Sequence, residues 1–412
     1  MLKKILNLYL LLTFTSLKLN GQSQNITYFI DEGQRNSPLL KEYDNLIRSQ
    51  ASDSLILMAE YKPQVSATSQ AMYAPVTNHF GYDSAITNGG NYSALVNITQ
   101  TLLNRNAKKI KLNNLSVLNQ ALNVNFKITA TELKKNITTL YLDAFSDYSK
   151  LLFNKQLFDL LKKEESSIEQ LVMRGVYMQT DLMNLKIAIK TVEISLKKSN
   201  IEYKNKLSVL NQFCGINDTI TPELENPKIE LTNFPDINAS PIMMRLTTDS
   251  LQNISAQQLV SLEYRPKLTA FADAGFNAIK PNDFTKHLGT SIGLNFALPI
   301  YDGNLRKQKF NKIKLEENTR LNNKSFYIGQ FNQQFFNLSN QLTLTNDLIS
   351  TIENQVNEQE KLLKLYKIEI EQGLVKFMDF INTLNSYSST VYSLKEAKMD
   401  RLQLINQMNY LK

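Results

Sequence analysis

The chain of 412 residues is poor in the residues that most often perform chemistry: it has one cysteine, two histidines and no tryptophan. A single cysteine, Cys214, excludes an internal disulfide, and a lone thiol is more often a small buried hydrophobe than a nucleophile. The histidines, His79 and His287, fall in predicted hairpin loops, and no Ser/His/Asp or Cys/His set can be assembled around them. The sequence therefore predicts a protein that is not an enzyme and binds no cofactor or metal.

Long apolar runs are missing after the N-terminus. Residues 1–21 are predicted to be a secretory signal peptide, because Lys3 and Lys4 precede an apolar run that is too short to span a membrane. No later apolar run reaches about 18 residues, so we expect no transmembrane helix. Removal of residues 1–21 would take away three lysines and no acid, which lowers the net charge from +8 to +5. That excess does not indicate a nucleic-acid-binding protein.

The two halves of the chain repeat one another. Glu60-Tyr61-Lys62-Pro63 in the first half matches Glu263-Tyr264-Arg265-Pro266 in the second. After each proline, apolar and polar residues alternate, which predicts a β-strand, and a second alternating run follows after a loop. We therefore predict one strand hairpin within residues 61–103 and another within residues 264–301.

Proline is absent from the stretches that follow the two hairpins, which begin at Asn106 and Asn304, and apolar residues recur there at helical spacing. Glycines lie at corresponding positions, Gly175 and Gly373. Because a glycine costs about 1 kcal/mol inside a helix, we expect each to end a long helix before a returning one. The predicted division is a signal peptide, a first repeat, a linker and a second repeat: 1–21, 22–213, 214–239 and 240–412.

The strand alternation also predicts two faces for each hairpin. The candidates for lipid contact on the apolar face are Ala270, Ile292, Leu294 and Phe296. Gln70 and Asp273 lie on the other face, where a barrel lumen would be, although an error of one residue in register would exchange the faces. Four strands cannot close a barrel alone, and an open sheet in lipid leaves unpaired edges. We therefore expect several chains to share one barrel, with the long helices directed away from the membrane.

The chain resembles the TolC family of outer-membrane efflux proteins. The resemblance is carried by the duplicated Tyr-Lys/Arg-Pro strand starts, by the two Gly-to-Asp pairs, and by Ala297-Leu298-Pro299-Ile300-Tyr301-Asp302-Gly303-Asn304. It implies a mixed α/β membrane protein: a trimeric twelve-stranded β-barrel, four strands per chain, that continues into a long periplasmic α-helical barrel. It also implies an exit channel in the bacterial outer membrane for a tripartite efflux pump or a type I secretion system. A periplasmic adaptor and an inner-membrane transporter would be its partners.

The resemblance gives a role to polar residues that follow the glycines. Asp181 and Asp379 are implied to line a periplasmic pore constriction, and Asn184 and Asn382 share their helix faces at i, i+3. Some members of the family have a second aspartate at the position of Asn382, which weakens the expectation of a double carboxylate ring. The alternative is that both aspartates only cap or solvate the starts of the returning helices.

The glycines themselves are implied to form a tip at which the adaptor docks. The alternative is that Gly175 and Gly373 only end their helices. The chain has Ile370 where some members have a polar gating residue, so the hydrogen bonds of that gate are not expected here.

A competing hypothesis is a periplasmic coiled-coil scaffold or adaptor without a pore. The apolar strand face distinguishes the two hypotheses, because a scaffold would not need it. The transported cargo does not follow from these residues.

Overall fold

The computed structural model describes residues 24–75, 80–83, 89–102, 105–217, 221–231 and 236–411. The predicted signal peptide and His79 lie outside the described residues. The helices are α1 (Ile26–Asn36), α2 (Pro38–Glu60), α3 (Arg105–Met173), α4 (Gln179–Cys214), α5 (Pro241–Glu263), α6 (Leu305–Gln372) and α7 (Phe377–Asn409). The strands are β1 (Gln64–Tyr73), β2 (Gly90–Leu102), β3 (Lys267–Ala278) and β4 (Leu288–Ala297).

The four strands form one antiparallel sheet in the order β1-β2-β3-β4, so β1 and β4 are its edges. Val96 lies opposite Ala67 on one side and Ala274 on the other, and Ala274 lies opposite Thr290. Directly opposite residues share a face, and side chains alternate along each strand. The alternating apolar residues of the four strands therefore combine into one continuous surface.

We call this surface the apolar face and the opposite one the polar face. The apolar face includes Val65, Ala67, Tyr92, Ala94, Val96, Ile98, Leu268, Ala270, Ala272, Ala274, Phe276, Ile292, Leu294 and Phe296. The polar face includes Ser66, Thr68, Gln70, Ser93, Asn97, Thr99, Thr269, Asp273, Asn277, Ser291 and Asn295. A two-faced sheet of this kind follows from the period-2 pattern of the sequence.

The long helices begin and end close to where the proline-free stretches predict. Helix α3 has 69 residues and α6 has 68. Each stops two residues or fewer before its glycine, and the returning helices α4 and α7 begin at Gln179 and Phe377. In the part of the chain that the structure describes, no helix is both long enough and apolar enough to cross a membrane.

The chain divides into two compact units, and each takes segments from both sequence repeats. The helix-turn unit comprises the described residues of Met1–Leu40, Ile128–Ser240 and Ile328–Lys412. The sheet unit comprises those of Lys41–Lys127 and Pro241–Tyr327. Corresponding elements of the two repeats therefore pack within the same unit. The division into a first repeat, a linker and a second repeat describes the sequence, and it stays a prediction.

The predicted linker is bound to the helices of its unit along residues 221–231. Gln24 and Leu224 form a parallel β-bridge. The hydroxyl of Tyr141 lies within hydrogen-bonding distance of the carbonyl oxygens of Glu225 (2.7 Å) and Gln24 (3.0 Å), and its single proton is shared between them. Backbone bonds join the same segments, because the Gln24 N–H donates to the Glu223 oxygen (2.9 Å) and the Glu225 N–H donates to the Gln24 oxygen (3.2 Å). The segment between the two halves is thus part of the packed structure.

Candidate functional site: the helix turns and the sheet

The break between α3 and α4 is a Schellman turn at Gly175. The Gly175 N–H donates to the Val172 oxygen (3.0 Å), and the Val176 N–H donates to the Leu171 oxygen (2.9 Å). This pair of bonds satisfies the last carbonyls of a helix. Gly175 has φ 75°, a left-handed conformation that a residue with a Cβ adopts only at a cost. The glycine therefore ends the helix.

The break between α6 and α7 has the same geometry. Gly373 has φ 71°. Its N–H donates to the Ile370 oxygen (3.1 Å), and the Leu374 N–H donates to the Glu369 oxygen (3.0 Å). The helix-ending function of both glycines is thus built into the structure, while adaptor docking stays a prediction.

The two turns contact each other at Gly373. A Cβ placed on Gly373 would lie 2.6 Å from Cγ1 of Val176, whereas nothing lies within 4 Å of a Cβ placed on Gly175. The second turn therefore has a steric requirement for glycine that the first turn lacks.

We expect Gly373→Ala to be more destabilising than Gly175→Ala. Both variants carry left-handed strain of about 1 kcal/mol. Gly373→Ala must also displace Val176, which raises its expected cost to roughly 2 kcal/mol. Urea unfolding of the detergent-solubilised variants, followed by circular dichroism, measures the difference. Equal losses in the two variants would contradict a contact between the turns.

Tyr177 connects the two turns. Its hydroxyl donates to the Val375 oxygen at 3.1 Å, and its ring packs edge-on against Phe377 with a centroid distance of 6.1 Å. Burial, and secondly the negative charge of Asp181, raises the pKa of Tyr177. The hydroxyl therefore remains protonated and able to donate at neutral pH.

An apolar core lies behind the turns. Its buried residues are Leu157, Leu161, Ile168, Tyr177, Leu182, Leu185, Ile189, Val192, Ile370, Phe377, Phe380, Ile381 and Leu384. Four helices contribute to it: the end of α3, the start of α4, the end of α6 and the start of α7. Ile370, for which the sequence predicted no gating hydrogen bonds, is only 7% exposed. Here that position serves packing.

Asp181 closes the start of α4. It is the third residue of the helix, and its Oδ2 accepts the Met178 N–H at 3.0 Å. The Asp181 N–H in turn donates to the Met178 oxygen at 3.0 Å. A carboxylate at this place also faces the positive end of the helix dipole. Capping is therefore the role that the structure shows for Asp181, and its place at a pore constriction stays a prediction.

Asp379 occupies the same position in α7 but has a different environment. Its N–H donates to the Lys376 oxygen at 2.9 Å. Its side chain is exposed and forms no hydrogen bond or ion pair within the described residues. Asn382 is also exposed and Asn184 is half-buried. Asp379 is thus the carboxylate that remains available to an ion.

The lipid-contact candidates lie together on the apolar face. Ala270 is opposite Leu294, Leu268 is opposite Phe296, and Ala272 is opposite Ile292. Ile292, Leu294 and Phe296 are 87%, 67% and 64% exposed. Their contact with lipid stays a prediction, but their common face follows from the register.

The lumen candidates lie together on the polar face. Gln70 is opposite Ser93, and Asp273 is opposite Asn97 and Ser291. The Ser291 hydroxyl donates to Asp273 Oδ2. The face therefore carries a carboxylate that is hydrogen-bonded to Ser291 and has Asn97 on its other side.

Asp302 has a structural role that the sequence reasoning did not assign. Its Oδ1 accepts the Asn304 N–H (3.0 Å), and its Oδ2 accepts the Arg306 N–H (2.7 Å). The Arg306 N–H and the hydroxyl of Tyr264 lower the pKa of Asp302. An aspartate just before a helix, followed by Gly303 at φ 63°, is a recognisable start signal. Asp302 therefore determines where α6 begins after β4.

The residues suited to covalent or metal chemistry are dispersed. Cys214 is fully buried, and burial, with Glu32 as a second cause, raises the pKa of its thiol to about 12. His287 is exposed beside the short turn before β4. Within the described ranges, no group of three His, Cys, Asp or Glu side chains could hold a metal ion.

Solved structures share this arrangement of a four-stranded sheet and paired long helices. CusC, whose structures concern folding and transmembrane channel formation, superposes with a TM-score of 0.72 at 12% identity, over 96% of this chain and 94% of CusC. The outer membrane protein VceC of Vibrio cholerae superposes with a TM-score of 0.71 at 12% identity, over 93% of this chain and 94% of VceC. The MtrE outer membrane channel of Neisseria gonorrhoeae superposes with a TM-score of 0.72 at 10% identity, over 94% of this chain and 88% of MtrE.

The chain has the fold of these outer-membrane channels. The sequence itself matches no protein-family model and no curated protein. At identities of 10–12% the likeness concerns the fold alone. The predicted fold class, four strands per chain joined to long returning helices, is confirmed.

Proposed function

We propose that this protein is an exit channel in the bacterial outer membrane that passes substrates out of the cell. The apolar face of the sheet carries the proposal, because Ile292, Leu294 and Phe296 are mostly exposed there. A continuous exposed apolar surface of this kind indicates contact with a membrane or another molecule. Apolar residues on one face of a sheet and polar residues on the other are typical of a membrane barrel wall.

The two free edges of the sheet support closure by further copies of the chain. The strands alternate in direction, so β4 of one protomer would run antiparallel to β1 of the next. Such a head-to-tail contact is heterologous, and repeating it closes a ring. Three copies give the twelve strands that the resemblance to the TolC family implies, and no edge then remains in lipid.

In this proposal the protein is a homotrimer whose helices extend into the periplasm. The channel would serve a tripartite efflux pump or a type I secretion system, with energy supplied by an inner-membrane transporter. A periplasmic adaptor would bind near the turns at Gly175 and Gly373. The support for this assembly is the fold it shares with known outer-membrane channels and the duplication of the turns. No enzymatic step is proposed.

The test of the channel function is conductance in a planar bilayer. We expect the detergent-purified protein to migrate as a trimer and to conduct ions after insertion. A protein that remains monomeric and dispersed without detergent, and that gives no current, would favour the coiled-coil scaffold instead.

The exposed carboxylate at the turn gives a sharper prediction about the constriction. We expect Asp379→Ala to lower the cation-to-anion permeability ratio roughly fivefold at low salt, because a ring of three weakly screened carboxylates would be lost. We expect Asp181→Ala instead to cost about 1 kcal/mol of stability, because it removes a cap. Reversal potentials in a salt gradient and melting curves separate the two effects. If Asp379→Ala changes only the melting curve, Asp379 is a helix-start residue and not part of the constriction.

A further inference from the structure

The end of the sheet next to the helices is rich in cations. Six cations lie at the strand starts and in the first two turns of α3 and α6: Lys62, Lys111, Arg265, Lys267, Arg306 and Lys309. Within the described residues, three of the six have a partner. Lys309 pairs with Glu263 at 2.5 Å, and Lys111 approaches Glu60 at 4.0 Å. The cations at this end outnumber the carboxylates that could neutralise them.

In the second repeat, Arg306 and the N-terminus of α6 already have partners. The guanidinium of Arg306 lies over the ring of Tyr264 at 5.2 Å, and Asp302 accepts backbone N–H groups at the start of α6. In the first repeat the corresponding sequence position is Asn104, and α3 has no acidic residue in its first turn. The positive end of that helix dipole is therefore not neutralised by its own helix.

A cleft of about 450 Å³ lies at this place in the sheet unit. Lys111, Arg265 and Lys267 line it together with the first turn of α3 at Ala107. Its one carboxylate, Glu263, is already bound to Lys309. Neither Arg265 nor Lys267 forms an ion pair within the described residues. Three cations and the N-terminal turn of α3 thus line the cleft, and its one carboxylate is neutralised by Lys309.

The remaining walls of the cleft are apolar or aromatic. Leu259, Leu262 and Pro266 form one side, and Tyr61 contributes its ring. The Lys111 amine lies 5.5 Å from the centroid of that ring. A ligand that fits these walls has an anionic group for the cations and an apolar body for the leucines. Phosphate and carboxylate are the groups that arginine and helix N-termini bind best.

We propose that this cleft binds an amphiphilic anion, a molecule with a phosphate or carboxylate head and an apolar chain. Arg265 and Lys267 hold the head group, and the Leu259–Leu262 wall holds the chain. The site goes beyond the channel function and does not depend on it, since every lining residue belongs to one chain. Two sources share this chemistry: the head group of an anionic phospholipid and an anionic amphiphile in transit.

The test uses the full-length protein in a neutral maltoside detergent. The probes are dodecyl phosphate, phosphatidylglycerol, phosphatidylcholine and inorganic phosphate, with binding followed by native mass spectrometry and by the rise in melting temperature. We expect dodecyl phosphate or phosphatidylglycerol to bind, and an R265Q/K267Q variant to bind about tenfold more weakly. Lys267→Gln alone, at an exposed position, should show a smaller loss in the same direction.

The matched control is K155Q/K204Q, which removes two exposed lysines from α3 and α4, outside the cleft. It should bind like the unmodified protein. Binding of phosphatidylglycerol would identify a lipid, and binding of dodecyl phosphate without it would identify a soluble amphiphile. Equal binding in R265Q/K267Q and in the control would overturn the site. Equal affinity for inorganic phosphate or for phosphatidylcholine would overturn the amphiphilic anion as its ligand.

Discussion

Replacing Ile292 by lysine is expected to prevent assembly of the protein in the outer membrane. Ile292 is 87% exposed and lies in the middle of β4, opposite Ala272 on the apolar face. A lysine on the lipid face near the midplane costs about 2–4 kcal/mol. A trimer would carry this cost three times, roughly 6–12 kcal/mol in all. We expect the trimer band on semi-native gels and the outer-membrane fraction of the protein both to be lost.

Asn295→Lys is the matched control for this substitution. Asn295 lies three residues further along β4 on the polar face, opposite Thr269, and is also exposed. The same added charge there would face water in the proposed lumen, so assembly should persist. Loss of assembly in both variants would mean that the position on β4, and not the face, decides the result. Normal assembly of Ile292→Lys would contradict lipid contact and favour a scaffold.

The sheet is the part of the fold that sequence reasoning predicts best. The period-2 pattern separates Ile292 from Ser291 and Ala270 from Thr269, and the register places them on the faces that the pattern predicts. A strand has only two faces, so an alternating sequence leaves little freedom once one face is apolar. The order of the strands in the sheet is not contained in this pattern, because it depends on long-range pairing of β2 with β3.

The helix turns show where sequence reasoning reaches its limit. The repeat makes Gly175 and Gly373 equivalent, and both do end their helices by the same pair of bonds. The repeat does not predict that only Gly373 lies against Val176, because that contact joins residues almost two hundred positions apart. Asp181 and Asp379 likewise look equivalent in sequence, yet the structure shows a side-chain cap only for the first. Equivalent positions acquire different surroundings when two repeats pack together.

The same limit applies to the cation-rich cleft. Lys111 and Arg265 are about 150 residues apart in sequence, so no local motif predicts that they line the same cleft. Each cation alone reads as an ordinary residue of a mildly basic chain. The excess of positive charge depends on the ion pairs of the folded chain, because Glu263 pairs with Lys309 and does not neutralise Arg265 or Lys267.

Phe377→Ala is expected to cost about 3–5 kcal/mol of stability in the helix-turn unit. Phe377 is 2% exposed and is the first residue of α7. Its ring packs against Tyr177 (6.1 Å) and Phe380 (5.9 Å), so truncation leaves a cavity between the two turns. The Schellman turns at Gly175 and Gly373 pack on this core. Loss of the Phe377 ring should therefore let both turns open locally.

Hydrogen exchange measures this effect where it arises. In Phe377→Ala, the amides of Gly175 and Gly373 should exchange much faster than in the unmodified protein, because the helix ends that their bonds close would open more often. Met378→Ala is the matched control, since Met378 is the next residue and is 39% exposed. It should change stability by less than about 0.5 kcal/mol and leave exchange unaltered. If Phe377→Ala behaves like Met378→Ala, the two turns do not depend on a shared core, and each is stable by its own backbone bonds.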